Sequence, residues 1–205
     1  MMDNVTRNSV GDVFEQTMRP REQKIWLAEQ LKPFSDADRI LCWVAGNHEA
    51  RSKKDADDDP LYDVACKLNQ EHLYCEPEGF VKLQIGDPDG YGKKNPTYVV
   101  AVLHGSGGGI YTGATVNRNE RTAAYIDGID ALLVGHSHKG AITRPKKRVV
   151  DPFNNRITQR DVVVVSMTSW LAFAAYAKRK QMLPASNKPM YLLLAGDKKD
   201  IEARW

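Results

Sequence analysis

The sequence predicts an α/β protein built on parallel strands, and two features carry the prediction. Three short apolar runs, residues 40–45, 98–103 and 131–134, are rich in β-branched side chains and stop at glycine or polar residues. Such runs read as strands buried on both faces, as in a parallel sheet. Each run also delivers histidine at its end, in Gly46-Asn47-His48-Glu49, His104-Gly105 and Gly135-His136-Ser137-His138. Ligands of open α/β sheets gather beyond the carboxyl ends of the strands. Asn and His side chains brought to one such edge point to a metal site built for chemistry.

The remaining elements follow in chain order. Pro20 at an early position, with Ile25, Ala28 and Leu31 on one face, predicts a helix over 20–31. After the first strand, the acidic stretch 55–59 leads into a second helix. There Asp59 can cap, Pro60 fits the first turn, and Leu61, Val64, Ala65 and Leu68 form the apolar stripe. Alternation over 80–85 predicts a strand, with an exposed turn at 87–90. Asn117 and Glu120 read as a capping pair for a helix through Ile126. Beyond Gly140 the pattern becomes all-β, with a strand at 148–150, a turn at Asn154-Asn155 and a strand over 157–166. A helix over 170–179 and a strand over 191–195 complete the chain. No repeat or linker interrupts it, so a single domain over 1–205 is expected.

At 205 residues, 42% hydrophobic and 27% charged, the chain is an ordinary soluble globular one, long enough for a well-buried core. Cys42, Cys66 and Cys75 lack metal-ligand spacing and favour free thiols in a reducing compartment. No secretory signal precedes the fold, and the apolar stretch at 171–177 is too short to cross a bilayer. A cytoplasmic protein without a membrane partner is therefore expected. The net charge of +3 is unevenly spread: from Lys139 onward there are 14 Lys and Arg against 5 Asp and Glu. That balance favours an anionic substrate or a polyanion such as nucleic acid, although a solvated surface explains it equally well.

Neutral imidazole suits Zn, Mn and Fe, and asparagine adds a hard carbonyl oxygen. Four of the five histidines lie in the three turns. His72, at helical spacing from Leu68, reads instead as a partly buried structural histidine. In order and composition, Gly46-Asn47-His48-Glu49, His104-Gly105 and Gly135-His136-Ser137-His138 resemble the motifs of the calcineurin-like metallophosphoesterases. The resemblance implies a two-sheet α/β sandwich flanked by helices and carrying two divalent ions (Mn, Fe or Zn). It implies that Asn47, His104 and His136 bind one ion and His138 the other, and that His48 is the general acid for the leaving oxygen. A metal-bridging hydroxide would attack phosphorus, with the ions about 3.5–4 Å apart.

The family's Asp-x-His and Gly-Asp motifs have no counterpart here. Asp3 reads as the second aspartate of a Gly-Asp-x-x-Asp series, which implies a domain without its N-terminal strands, holding fewer ions and impaired in hydrolysis. Arg51 is a candidate for a substrate phosphate, because its planar fork suits phosphate oxygens, and an ordinary surface arginine fits equally. Glu49 reads as a partner that fixes the histidine turn rather than as a ligand. The glycine run at 105–109 would let backbone amides approach a phosphate, or serve only as a flexible turn.

The leading expectation is a metal-dependent phosphoesterase acting on phosphomonoesters or phosphodiesters, with nucleotides or nucleic acid among its substrates. The alternative is a catalytically silent remnant serving as a binding or regulatory module. A nucleic-acid-binding protein with structural zinc is weaker, because such zinc sites recruit closely spaced cysteines and these are scattered.

Overall fold

The computed structural model describes residues 4, 16–86, 95–170, 181 and 183–205. It forms two compact units, residues 1–79 and 80–205. The architecture is mixed α/β, with several sheets and helices.

In the first unit, α1 (Pro20–Asp36) starts as expected, with Pro20 in its first turn. The Glu22 carboxylate accepts the Arg19 amide at 2.8 Å, satisfying a donor outside the helical ladder. The helix continues past Leu31 and carries Pro33 within it. Its buried face is Gln23, Leu27 and Ala28, whereas Ile25 is exposed, so the expected stripe lay partly off the true face. Gln23 tolerates burial because both ends of its amide are used, accepting from the Asn4 amide at 3.2 Å and donating to Met18 O at 2.9 Å.

Only two residues of the first apolar run form a strand. β1 (Trp43–Val44) pairs in parallel with β2 (Tyr74–Cys75), Trp43 beside Tyr74 and Val44 beside Cys75. α2 (Glu49–Ala56) occupies a stretch for which the sequence suggests no element before the acidic lead at 55–59. Its charged sequence offers no apolar periodicity to recognise. It ends at Asp57 in the left-handed conformation (φ 51°), which a short polar side chain tolerates. α3 (Pro60–Lys67) begins as the sequence indicates: Asp59 Oδ1 accepts the Tyr62 amide at 3.1 Å, and Oδ2 accepts the Tyr74 hydroxyl at 2.6 Å. Leu61, Val64 and Ala65 join Leu27, Ala28 and Trp43 in the core. His72 lies in a 3-10 turn (Glu71–Leu73) and is exposed, not partly buried as expected.

The second unit is organised by a five-stranded sheet of order β3-β4-β5-β9-β6. Its strands are β3 (Glu78–Gln84), β4 (Thr97–Leu103), β5 (Ala131–Val134), β9 (Val163–Ser166) and, antiparallel at one edge, β6 (Ala141–Thr143). β4, β5 and β9 are mutually parallel. Side chains on a strand alternate between faces, and that alternation produces two cores. Tyr98, Val100, Ala131, Val163 and Val165 face one way, against Met190 and Ile201. Ala101, Leu132, Val134 and Val164 face the other way, against Ala123 of α4 (Thr112–Tyr125). The first core is covered by the antiparallel pair β10 (Tyr191–Leu194) and β11 (Ile201–Arg204). Burying each Val or Leu contributes about 1.5–3 kcal/mol.

Three expectations change here. α4 begins at Thr112, so Asn117 and Glu120 lie inside it rather than at its start. Its buried residues, Thr115, Asn119 and Ala123, recur at four-residue spacing, and two of them are polar. The strand expected over 157–166 is two strands. β8 (Arg156–Asp161) pairs with β7 (Lys146–Asp151) as a hairpin, and the Val162 amide then bonds to Pro145 O at 3.1 Å before β9 enters the main sheet. β11 was not foreseen. The turn at 87–90 and residues 171–179 of the expected late helix lie outside the described residues. Among those described, no helix is long and apolar enough to cross a membrane.

Buried Asp130 joins several of these elements. Its Oδ2 accepts the Val99 amide, and its Oδ1 accepts Arg160 and Lys199, all at 2.8 Å. Burial pushes this carboxyl up, but the hydrogen bonds from Lys199, the Val99 amide and Arg160 outweigh it and hold the group below its ordinary 3.8. A carboxyl depressed in the folded state adds stability that is complete above its unfolded value and lost as pH falls through the folded value. Denaturant midpoints measured from neutral pH downward should therefore fall once pH drops below 3.8. Asp130→Asn should flatten that acid limb and cost about 1–3 kcal/mol at neutral pH.

Candidate metal centre

The histidines of the second unit are positioned by strand register. Leu103, the last residue of β4, pairs with Val134, the last of β5, which pairs in turn with Ser166 at the end of β9. Equal ends place the following residues side by side. The Gly135 amide donates to Leu103 O at 3.3 Å, and the Met167 amide to Val134 O at 2.7 Å. Glycine is needed in this junction: Gly105 has φ +84°, and a Cβ there would lie 2.6 Å from Val134 Cγ1.

His104 and His136 consequently meet. His104 Nε2 lies 3.0 Å from His136 Nδ1, with ring centroids 5.0 Å apart and planes at 70°. Such nitrogens can share a proton, the donor being set by the tautomer. They also fit a cation. Metal–imidazole bonds of about 2.1 Å at about 90° put the two nitrogens about 3.0 Å apart. The pair thus suits two adjacent ligand positions. Among the described residues no group of three or more His, Cys, Asp and Glu is arranged to hold a metal ion.

The loop carrying His136 and His138 is tightly wound. Both residues adopt left-handed backbone, φ 62° and 57°, and the Ser137 amide donates to Gly135 O at 2.7 Å. Non-glycine residues pay about 1–3 kcal/mol each for such conformations, a cost found most often at functional sites. His138 lies two residues past His136 in this loop.

Asn47 and His48 belong to the first unit, in the turn between β1 and α2. Glu49, buried, accepts the Gly46 amide at 3.0 Å and so closes the turn on itself. His48 stands at the N-cap of α2, and half-buried Arg51 follows in its first turn. Buried Asn4 braces the turn: its Nδ2 donates to His48 O at 3.3 Å and to Ser52 Oγ at 2.6 Å. Asp3 lies outside the described residues.

Two supporting residues escaped the sequence reading. Asn4 carried no signal. Asn119, buried on α4, donates to Ser166 Oγ at 2.7 Å and pins the helix to the end of β9. The stripe Thr115-Asn119-Ala123, two of its three members polar, shows as a four-residue spacing and could have indicated it.

The sequence profile of the family described as Calcineurin-like phosphoesterase matches residues 3–140, more than half of the chain and inclusive of all three histidine turns. No curated protein and no solved structure matches the chain.

Replacing either member of the imidazole pair should weaken divalent-ion binding. In calorimetric titrations with Zn²⁺ or Mn²⁺, His104→Ala and His136→Ala should each lose at least about tenfold in affinity, the least that losing a mere supporting partner of a ligand costs. Unchanged titrations in both variants would remove the pair from the metal site.

Proposed function

Because the chain belongs to the calcineurin-like phosphoesterase family, we propose that it is a metal-dependent hydrolase of phosphomonoesters or phosphodiesters. The approach of His104 to His136 at level strand ends is the observation that carries this reading. His104, His136 and Asn47 would hold one divalent ion, Mn, Fe or Zn, and His138 a second. Such ions polarise phosphoryl oxygens and stabilise the charge that builds on them during displacement.

The chain's own residues supply binding and proton transfer. His48 protonates the leaving oxygen, and a histidine titrates close enough to neutral pH to give and regain that proton. Its main chain is held for the task by Asn4. Arg51, three residues on, engages a phosphate oxygen pair through its planar fork. The preponderance of Lys and Arg beyond residue 138 favours polyanionic substrates, with nucleotides and nucleic acid first among them. The free thiols of Cys42, Cys66 and Cys75 suit a reducing, cytoplasmic setting.

The decisive assay follows Mn²⁺-dependent hydrolysis of bis-p-nitrophenyl phosphate alongside an alkyl phosphate ester. Wild-type protein should cleave both. His48→Ala should lose about 10²–10⁴-fold in kcat on the alkyl ester. It should lose much less on the nitrophenyl ester, whose leaving group departs without a proton. No cleavage of either ester with Mn²⁺, Fe²⁺ or Zn²⁺ would refute the hydrolase and leave a binding module. Equal losses on both esters would remove His48 from the role of acid.

A further inference from the structure

The glycine run at 105–109 begins directly after His104, and cations grip its carbonyl groups. The Arg118 guanidinium, projecting from α4, donates through Nη1 to Ser106 O and, at 3.4 Å, to Gly107 O. Its Nη2 donates to Gly108 O, also at 3.4 Å. The ammonium of buried Lys139, one residue past His138, donates to Gly109 O. The run is therefore tied at one end to a histidine of the imidazole pair and at the other to the loop bearing its partner. It borders the candidate centre.

In a trans peptide the carbonyl and the next amide N–H point in opposite directions. Three successive carbonyls turned toward one guanidinium therefore turn the N–H groups of Gly107, Gly108 and Gly109 away from it. Those amides have no acceptor among the described residues, and residues 106–110 are exposed. Glycine at 107 is required by the clamp, since its φ is +76° and a Cβ would stand 2.9 Å from Arg118 Cζ. At Gly108 a Cβ would meet nothing within 4 Å, so no other part of the described chain crowds the run there. Successive amides without acceptors on an exposed run, with two cations bound to the carbonyls behind them, match what a tetrahedral oxyanion requires.

We infer that residues 107–109 form a backbone cradle for the substrate phosphate and that Arg118 is the positioning residue that sets it. The inference deepens the phosphoesterase reading by assigning part of its anion recognition to main-chain amides. Arg118 acts from behind, through the carbonyls, and does not touch the substrate. A lysine at that position keeps the charge but not the fork that spans three peptides.

The test titrates inorganic phosphate into the full chain labelled with ¹⁵N-glycine, without added metal. The amides of Gly107, Gly108 and Gly109 should shift saturably. Arg118→Met and Arg118→Lys should both weaken phosphate binding by about tenfold. In the Mn²⁺ assay, Arg118→Lys should raise KM with little change in kcat. Silent amides at 107–109, or an Arg118→Lys variant that binds phosphate as wild type, would overturn the cradle. Should hydrolysis be absent while these amides still respond and both Arg118 variants weaken binding, the cradle stands and only the catalytic reading falls. The wild-type titration does not depend on any variant folding.

Discussion

The register of three parallel strands is the constraint on which the second unit depends. With Leu103, Val134 and Ser166 level, hydrogen bonds continue one step past the strands, and His104 emerges beside Gly135 and His136. A one-residue slip would turn Leu132 and Val134 from the helix side to the opposite face, against the pleat of the sheet. The same alternation that separates the two cores thus fixes which backbone positions meet at the carboxyl edge. Packing and chemistry share a single register.

Polar side chains then hold what the register places. Asp130 fastens the start of β4 to β8 and to the turn before β11. Asn119 fastens α4 to the end of β9, and in the other unit Asn4 fastens the turn of Asn47 and His48. Each of these groups is buried and hydrogen-bonded, as a low-dielectric interior demands. The left-handed residues at 136 and 138 are the strained counterpart, with backbone cost concentrated where two imidazoles must be presented from one short loop.

Legibility in the sequence followed the physics of each element. The runs at 98–103 and 131–134 were readable because strands buried on both faces must be continuously apolar, and the meeting of His104 with His136 followed from their ends. The run at 40–45 was apolar too, yet only Trp43 and Val44 found a partner strand, since apolarity reports burial and not pairing. α2 was missed because a charged helix has no apolar stripe, and the start of α4 because its inner face is Thr115 and Asn119. The supports at Asn4, Arg118 and Lys139 left no trace, because a side chain that bonds a distant carbonyl obeys no local period. Motif order carried the family, while the fittings around the motifs depended on three-dimensional contacts.

Arg118 and Asn119 are neighbours on α4, yet one reaches the peptide ribbon after β4 and the other the terminus of β9. Adjacent helix positions diverge by about 100° around the axis. Two attachments at that divergence deny the helix any freedom to roll. A turn that eased one would tear the other, so the segment behaves like a key seated in two wards. Any ligand that drags the glycine ribbon must therefore also load the far strand, spreading a local pull across the width of the sheet.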